Sequence, residues 1–239
     1  LDADIPILQP IRIGTKALGY WPYKFTTEDD AADTLRTFEK IVQSGKNLAI
    51  MAHFNHPVEL STAAVQEAIK RIRATGAQIR SQSPLMRNIN ADANVWAELW
   101  RKLVNLNCIP YYMFVARDTG AQHYFKVPLV EAWHIFQQAY QQVSGVCRTV
   151  RGPSMSATPG KVQVLGISEV NGKKVMTLRF LQGRNHDWVA RPFFAEYDEE
   201  AIWLDDLKPA FGEEKFFFEN ELKEIFNEHL DKTTIDNFE

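Results

Sequence analysis

Four times between Ile7 and Val143 a short apolar run gives way to a longer segment of helical periodicity. That alternation constrains the fold more than any other feature. A strand that feeds a helix and then another strand is the pattern of parallel strands joined by crossover helices. The runs are Ile7–Thr15, Asn47–Phe54, Gln78–Ser83 and Ile109–Val115. Pro10 cannot donate to a ladder and weakens the first half of the first run. Thr27 and the acids Glu28, Asp29 and Asp30 open a helix with Leu35, Phe38, Ile41 and Val42 on one face and Gly45 at its end. Ser61 or Thr62 caps the next, which turns Val65, Ile69 and Ile72 inward and stops at Gly76. Asp92 caps a third, carrying Val95, Leu99, Leu103 and Leu106, and Leu129–Val143 is the fourth.

In sheets and barrels of this kind ligands sit at the carboxyl ends of the strands. Gly14, Thr15 and Lys16 follow the first run, His53, Asn55 and His56 the second, Ser81, Gln82 and Ser83 the third, and Arg117 and Asp118 the fourth. These groups either cap helices and close loops or form one polar site. His53 and His56 bracket Phe54 and Asn55 ahead of Pro57, with no cysteine, aspartate or third histidine beside them. A zinc site needs three or four ligands, so this pair reads as hydrogen-bonding and not metal-binding.

The pattern changes at Arg151–Lys161, where two glycines and two prolines bracket Ser154, Ser156 and Thr158. Two readings stand side by side. The run is a surface turn leading into a hairpin, or a loop whose hydroxyl and N–H groups hold an anion while Lys161, kept neutral by burial, attacks a carbonyl. Asn171-Gly172 between Val162–Ile167 and Lys174–Leu181 is a strong hairpin signal. Phe193–Tyr197 adds a strand, Phe216–Phe218 a core clasp or interface, and Glu219–Leu230 a terminal helix. The domain expectation is a partial barrel over 1–150, then the lysine loop, hairpin and aromatic extension over 151–239.

Composition excludes several classes. A net charge of -3 gives no general electrostatic case for nucleic acid or an anionic membrane. No apolar run is long enough to span a bilayer, and no signal peptide is visible. Two distant cysteines, Cys108 and Cys147, frame neither a disulfide scaffold nor a metal motif. The cytoplasm is the expected location.

Ile11-Arg-Ile-Gly-Thr15, His53-Phe-Asn-His-Pro57, Ser81-Gln-Ser83, Pro110-Tyr-Tyr112 and Pro159-Gly-Lys161 stand in an order and spacing that resembles the lysine 2,3-aminomutase family over roughly residues 10 to 165. The resemblance implies a radical S-adenosylmethionine, pyridoxal phosphate-dependent enzyme acting on a small amino acid. It implies an α/β fold, an incomplete TIM-type β/α barrel with a C-terminal hairpin and an aromatic tail. It makes Lys161 the lysine that carries pyridoxal phosphate as an aldimine, with Ser154 and Ser156 on the phosphate side. It places His53, Asn55, His56, Gln82 and Ser83 at the cofactor face, with S-adenosylmethionine, and gives Asp118 a catalytic part.

The departures are specific. The family's Cys-x3-Cys-x2-Cys motif, which binds a [4Fe-4S] cluster ahead of the Arg-Ile-Gly-Thr strand, has no match here. The chain therefore looks like the later part of a longer protein, inactive without that segment. Ser154 stands where lysine-specific members carry an aspartate, and Asp118 is offset by one from a second. Three expectations follow: an open sheet edge at the first strand, where a second copy could pair; one cleft holding His53, Asn55, Gln82, Asp118 and Lys161; and an amino-group shift as the reaction. A Schiff-base barrel enzyme without radicals and a non-catalytic interaction domain are the alternatives.

Overall fold

The computed structural model describes residues 10–117 and 120–235. Eight strands form a single sheet in chain order: β1 (Pro10–Thr15), β2 (Asn47–His53), β3 (Gln78–Leu85), β4 (Ile109–Val115), β5 (Arg151–Ala157), β6 (Gly160–Val170), β7 (Lys173–Gly183) and β8 (Pro192–Glu196). Pairing is parallel from β1 through β5 and antiparallel from β5 through β8. Among the described residues the sheet does not close: β1 is one edge and β8 the other. This is the incomplete barrel expected, with its open parallel edge at β1.

Among the described residues seven α-helices accompany it: α1 (Ala17–Tyr20), α2 (Ala31–Gln43), α3 (Ala63–Ala74), α4 (Ala93–Asn105), α5 (Gln122–Phe125), α6 (Leu129–Gln141) and α7 (Glu219–Ile235). The caps follow the sequence. Thr62 Oγ1 accepts from the Val65 N–H at 3.3 Å, and Asp92 Oδ1 accepts from Asn94 and Val95 at 2.7 and 3.2 Å. The α2 start differs. The chain from Thr26 to Glu28 instead folds back on the Tyr23 carbonyl, so the helix begins at Ala31.

Alternation along each strand sorts the two faces. Leu48, Ile50 and Ala52 of β2 and Ile79 and Leu85 of β3 pack with Ile69, Ile72, Trp96 and Leu99 in one core beneath the helices. Trp100 of α4 meets Phe136 and Tyr140 of α6 at 5.9 and 6.3 Å between ring centroids. A second core lies under the antiparallel strands, where Phe180, Trp188 and Phe193 pack on Phe216 and Phe218. Fully burying one such side chain is worth about 1.5–3 kcal/mol, so the Phe216–Phe218 run is a core clasp.

The Arg151–Ala157 stretch is a strand and not a loop. Gly152 and Pro153 mark a break in the β4–β5 ladder: Tyr112 pairs with Arg151, and the next pair is Phe114 with Ser154. A Cβ on Gly152 would meet Met113 Cβ and O at 2.7 Å, so only glycine lets β5 come this close. Thr158 and Pro159 then form a two-residue turn between paired Ala157 and Gly160. The glycines and prolines that looked like loop composition are a bulge and a tight turn. At the other end of β6, Asn171 and Gly172 have φ of 51° and 71° and join paired Val170 and Lys173, the expected hairpin. The sheet runs without interruption across the 150/151 boundary. Among the described residues no helix is long and apolar enough to cross a membrane.

Candidate functional site

Register brings the site together on the face away from α2, α3 and α4. His53 pairs with Gln82, and Gln82 pairs with Tyr112. Paired residues in a sheet share a face and stand about 4.8 Å apart, so His53, Gln82 and Tyr112 make one row across β2, β3 and β4. Ser81 pairs with Pro110 while Gln82 pairs with Tyr112, which leaves Tyr111 as an extra residue in β4. That bulge puts two consecutive tyrosines together, their rings 4.4 Å apart.

Lys161 reaches this row from β6. Its Nζ lies 4.2 Å from the Tyr112 ring centroid and 5.3 Å from that of Phe114, and the two rings are stacked at 4.9 Å. The lysine is half-buried. Burial holds its amine below the ordinary lysine range; Tyr111 opposes the shift, and the guanidinium charges of Arg12 and Arg151 add to it. A lysine so placed has a larger neutral fraction near pH 7 than one in water, which is what attack on a carbonyl requires. Together with Lys161, the residues Ser156, Thr158, Gln182 and Arg184 line a cavity of about 300 Å³. Ser156 is the strand partner of Lys161 and is exposed.

The loop after β2 is held rigidly. His53 Nε2–H donates to Asn55 Oδ1 at 2.6 Å. Glu59 Oε2 accepts from the Asn55 and His56 N–H groups at 2.5 and 3.2 Å. Burial, with the charge of Lys16, depresses the His53 pKa against the opposing effects of Asn55 and Glu59. Near neutral pH the ring is therefore an uncharged hydrogen-bonding group.

The sequence-derived candidates thus separate. His53, Gln82 and Lys161 share the face, and Asn55 touches it through His53. Three do not belong to it as expected. Ser83 falls on the helix side of β3, buried, and its hydroxyl donates to the Phe54 carbonyl. His56 turns its Nδ1 to accept from the Val58 N–H at 3.3 Å. Ser154 is fully buried with its hydroxyl on the Met113 carbonyl at 3.4 Å, so it presents nothing to a phosphate. Asp118 lies outside the described residues. Attention to strand ends missed Arg12 and Arg80 inside β1 and β3, and Arg151 at the start of β5.

A further cavity lies elsewhere. It measures about 470 Å³ and lies among Ile13, Trp21, Phe25, Phe38 and Ile50, on the helix side of β1. Among the described residues no group of three or more His, Cys, Asp or Glu could hold a metal ion. Cys108 and Cys147 are buried thiols. These residues do not fit an iron–sulfur cluster, whereas Lys161 fits an aldehyde cofactor.

No family model matches the chain. Relatives do. A protein of Aquifex aeolicus named "Putative L-lysine 2,3-aminomutase" is 28% identical over 89% of this chain and 55% of its own length. A glutamate 2,3-aminomutase of Clostridioides difficile is 26% identical over 60% of this chain and 32% of its own length. The chain thus spans 55% and 32% of the lengths of these two relatives. A radical SAM methyltransferase from Sphaerobacter thermophilus superposes with a TM-score of 0.36 at 15% identity, covering 51% of this chain and 38% of that one, a likeness too slight to build on.

Proposed function

We propose, on the premise that this chain is a homologue of the lysine 2,3-aminomutase family, that it supplies the pyridoxal phosphate lysine and one wall of the substrate pocket of a radical S-adenosylmethionine aminomutase. The observation that carries the proposal is Lys161. Its amine is half-buried, lowered in pKa, stacked over Tyr112 at 4.2 Å, and ion-paired to no carboxylate among the described residues.

Bound there, pyridoxal phosphate would supply an electron sink for the migrating amino group. The chain's own residues do the rest. Lys161 would hold that cofactor through its amine. Tyr112 and Phe114 form an aromatic floor that keeps that amine partly dry. Ser156, Thr158 and Arg184 stand around the cavity beside Lys161, where a phosphate would find hydroxyl and guanidinium donors. His53, Asn55 and Gln82 form the polar end of the same face, which the resemblance assigns to S-adenosylmethionine. No step through an iron–sulfur cluster is assigned to these residues. The free edge of β1 is where a further strand or a second copy would pair.

The test is covalent trapping. Pyridoxal phosphate added to the 239-residue chain and reduced with borohydride should label the peptide containing Lys161. Lys161→Ala should abolish the label, and Lys173→Ala and Lys174→Ala should leave it. A label on another lysine, or none on Lys161, overturns the reading.

A further inference from the structure

Strands β1 to β5 contain three arginines, Arg12, Arg80 and Arg151, and no aspartate or glutamate. None of the three forms an ion pair among the described residues. They are nevertheless gathered. Arg80 and Arg151 lie over the same ring, 5.0 and 5.1 Å from the Tyr111 centroid, so their charges are within about 10 Å of each other. Arg12, Arg80 and Tyr111 line a cavity of about 250 Å³ with Met51 and Gln78. Gln78 Oε1 accepts from Arg80 Nη2 at 3.1 Å and fixes its direction. Arg151 Nη1 points at the Tyr111 and Tyr112 hydroxyls, 3.5 and 3.4 Å away. Lys161 feels the charges of both Arg12 and Arg151, so the band continues to the reactive amine.

Like charges held this close, with no ion-pair partner among the described residues, repel one another, and an anion placed among them relieves the repulsion. Guanidinium forks match carboxylate oxygens in pairs. One arginine suffices for the α-carboxylate that every amino acid carries, and two remain. A side-chain ammonium entering the same space would meet three cations and, among the described residues of these strands, no carboxylate.

Resting on the reading of Lys161 given above, we infer that the amino acid handled at this face is dicarboxylic, its second carboxylate received by Arg80 and Arg151 with Tyr111, and that a substrate with a side-chain ammonium is rejected.

Equilibrium binding tests this without turnover. Glutamate, lysine, alanine and inorganic phosphate are titrated calorimetrically into the 239-residue chain at fixed ionic strength. Glutamate should bind roughly ten- to a hundredfold more tightly than lysine, the worth of one charge-assisted pair. Arg80→Gln should remove most of that preference while leaving the borohydride-trapped label on Lys161, and Arg80→Lys should restore part of it. Lysine binding as tightly as glutamate overturns the inference whatever the variants do. Inorganic phosphate displacing glutamate with the same dependence on Arg80 also overturns it, since the band would then be the cofactor's phosphate site. A glutamate preference without any label on Lys161 overturns the Lys161 reading instead and leaves the anion site standing.

Discussion

Replacing Gly160 with alanine should cost the protein several kilocalories per mole and displace Lys161 from Tyr112. Gly160 opens β6 at φ +149°, which side-chain-bearing residues rarely adopt. A Cβ there would stand 2.2 Å from the Gln182 carbonyl oxygen and 2.9 Å from Gly183 Cα. Both obstacles are backbone of β7, and β7 is held between β6 and β8, so no rotamer change clears them. The backbone strain costs about 1–3 kcal/mol and the overpacking about 1–3 kcal/mol more. With the hairpin intact, the loss is therefore about 2–6 kcal/mol, a large share of the 5–15 kcal/mol that typically holds a protein folded. At this chain length each kcal/mol moves the melting midpoint by about 2–4 °C, so a fall of at least about 4 °C is expected. The chain can avoid part of this by releasing the Lys161–Gln182 and Gly160–Gly183 pairs, but that frees the hairpin tip and moves the amine. Thermal melting by circular dichroism reads the first outcome, and the yield of borohydride-trapped label reads the second. Gly14→Ala is the control: its Cβ would meet nothing within 4 Å, and the change should stay within about 0.5 kcal/mol. A Gly160→Ala protein that melts within about 1 °C of the parent and traps cofactor in full yield would refute the packing argument.

Three further outcomes are expected. Because burial, with Arg12 and Arg151, lowers the Lys161 pKa against Tyr111, the neutral amine appears at lower pH than in free lysine. Adduct formation should accordingly reach its plateau at lower pH than the same aldehyde with a free-lysine reference, and an imine-band titration with an equal or higher midpoint contradicts this. Burial pushes the Cys108 thiol up to about 12, with Arg73 opposing, so iodoacetamide at pH 8 should leave Cys108 unmodified until urea unfolds the chain, as peptide mass spectrometry would show. Trp188 Nε1 donates to Glu221 Oε2 at 2.7 Å and ties α7 to the sheet; Trp188→Phe should lower the urea midpoint by an amount worth about 1–3 kcal/mol, and an unchanged midpoint would mean that this tie contributes nothing.

The parallel half of the fold was readable because its strands and helices obey different periods. The caps at Thr62 and Asp92 and the Asn171–Gly172 turn were readable because each is a local backbone requirement that the residues meet by themselves. The strand β5 was not readable. Its Gly152, Pro153, Pro159 and Gly160 signal a loop in isolation, and only the neighbouring Met113 and Gln182 backbones convert them into a bulge and a turn. The same holds for the site. His53 and Gln82 could be picked from their places at strand ends and Lys161 from the resemblance, but that Ser83 lies on the helix side and Ser154 is buried depends on register and on neighbouring strands. The arginine band escaped for the opposite reason: Arg12, Arg80 and Arg151 lie on three separate strands and meet only when the ladder is assembled.

The change from parallel to antiparallel pairing at β5 has a consequence for the order in which the chain can assemble. Each parallel pair from β1 to β5 needs a crossover through a helix before its two strands meet, whereas β5, β6 and β7 are joined by two-residue turns. Contacts that close short loops form early, and contacts that close long ones lag. The reactive lysine belongs to the fast, local part, and its aromatic floor, Tyr112 and Phe114, belongs to the slow part. The amine is thus built onto its hairpin before there is anything to bury it, and its altered reactivity is acquired only at the last joining of β4 to β5. The rise of trapped label during refolding would then report that single joining event and not the formation of the hairpin itself.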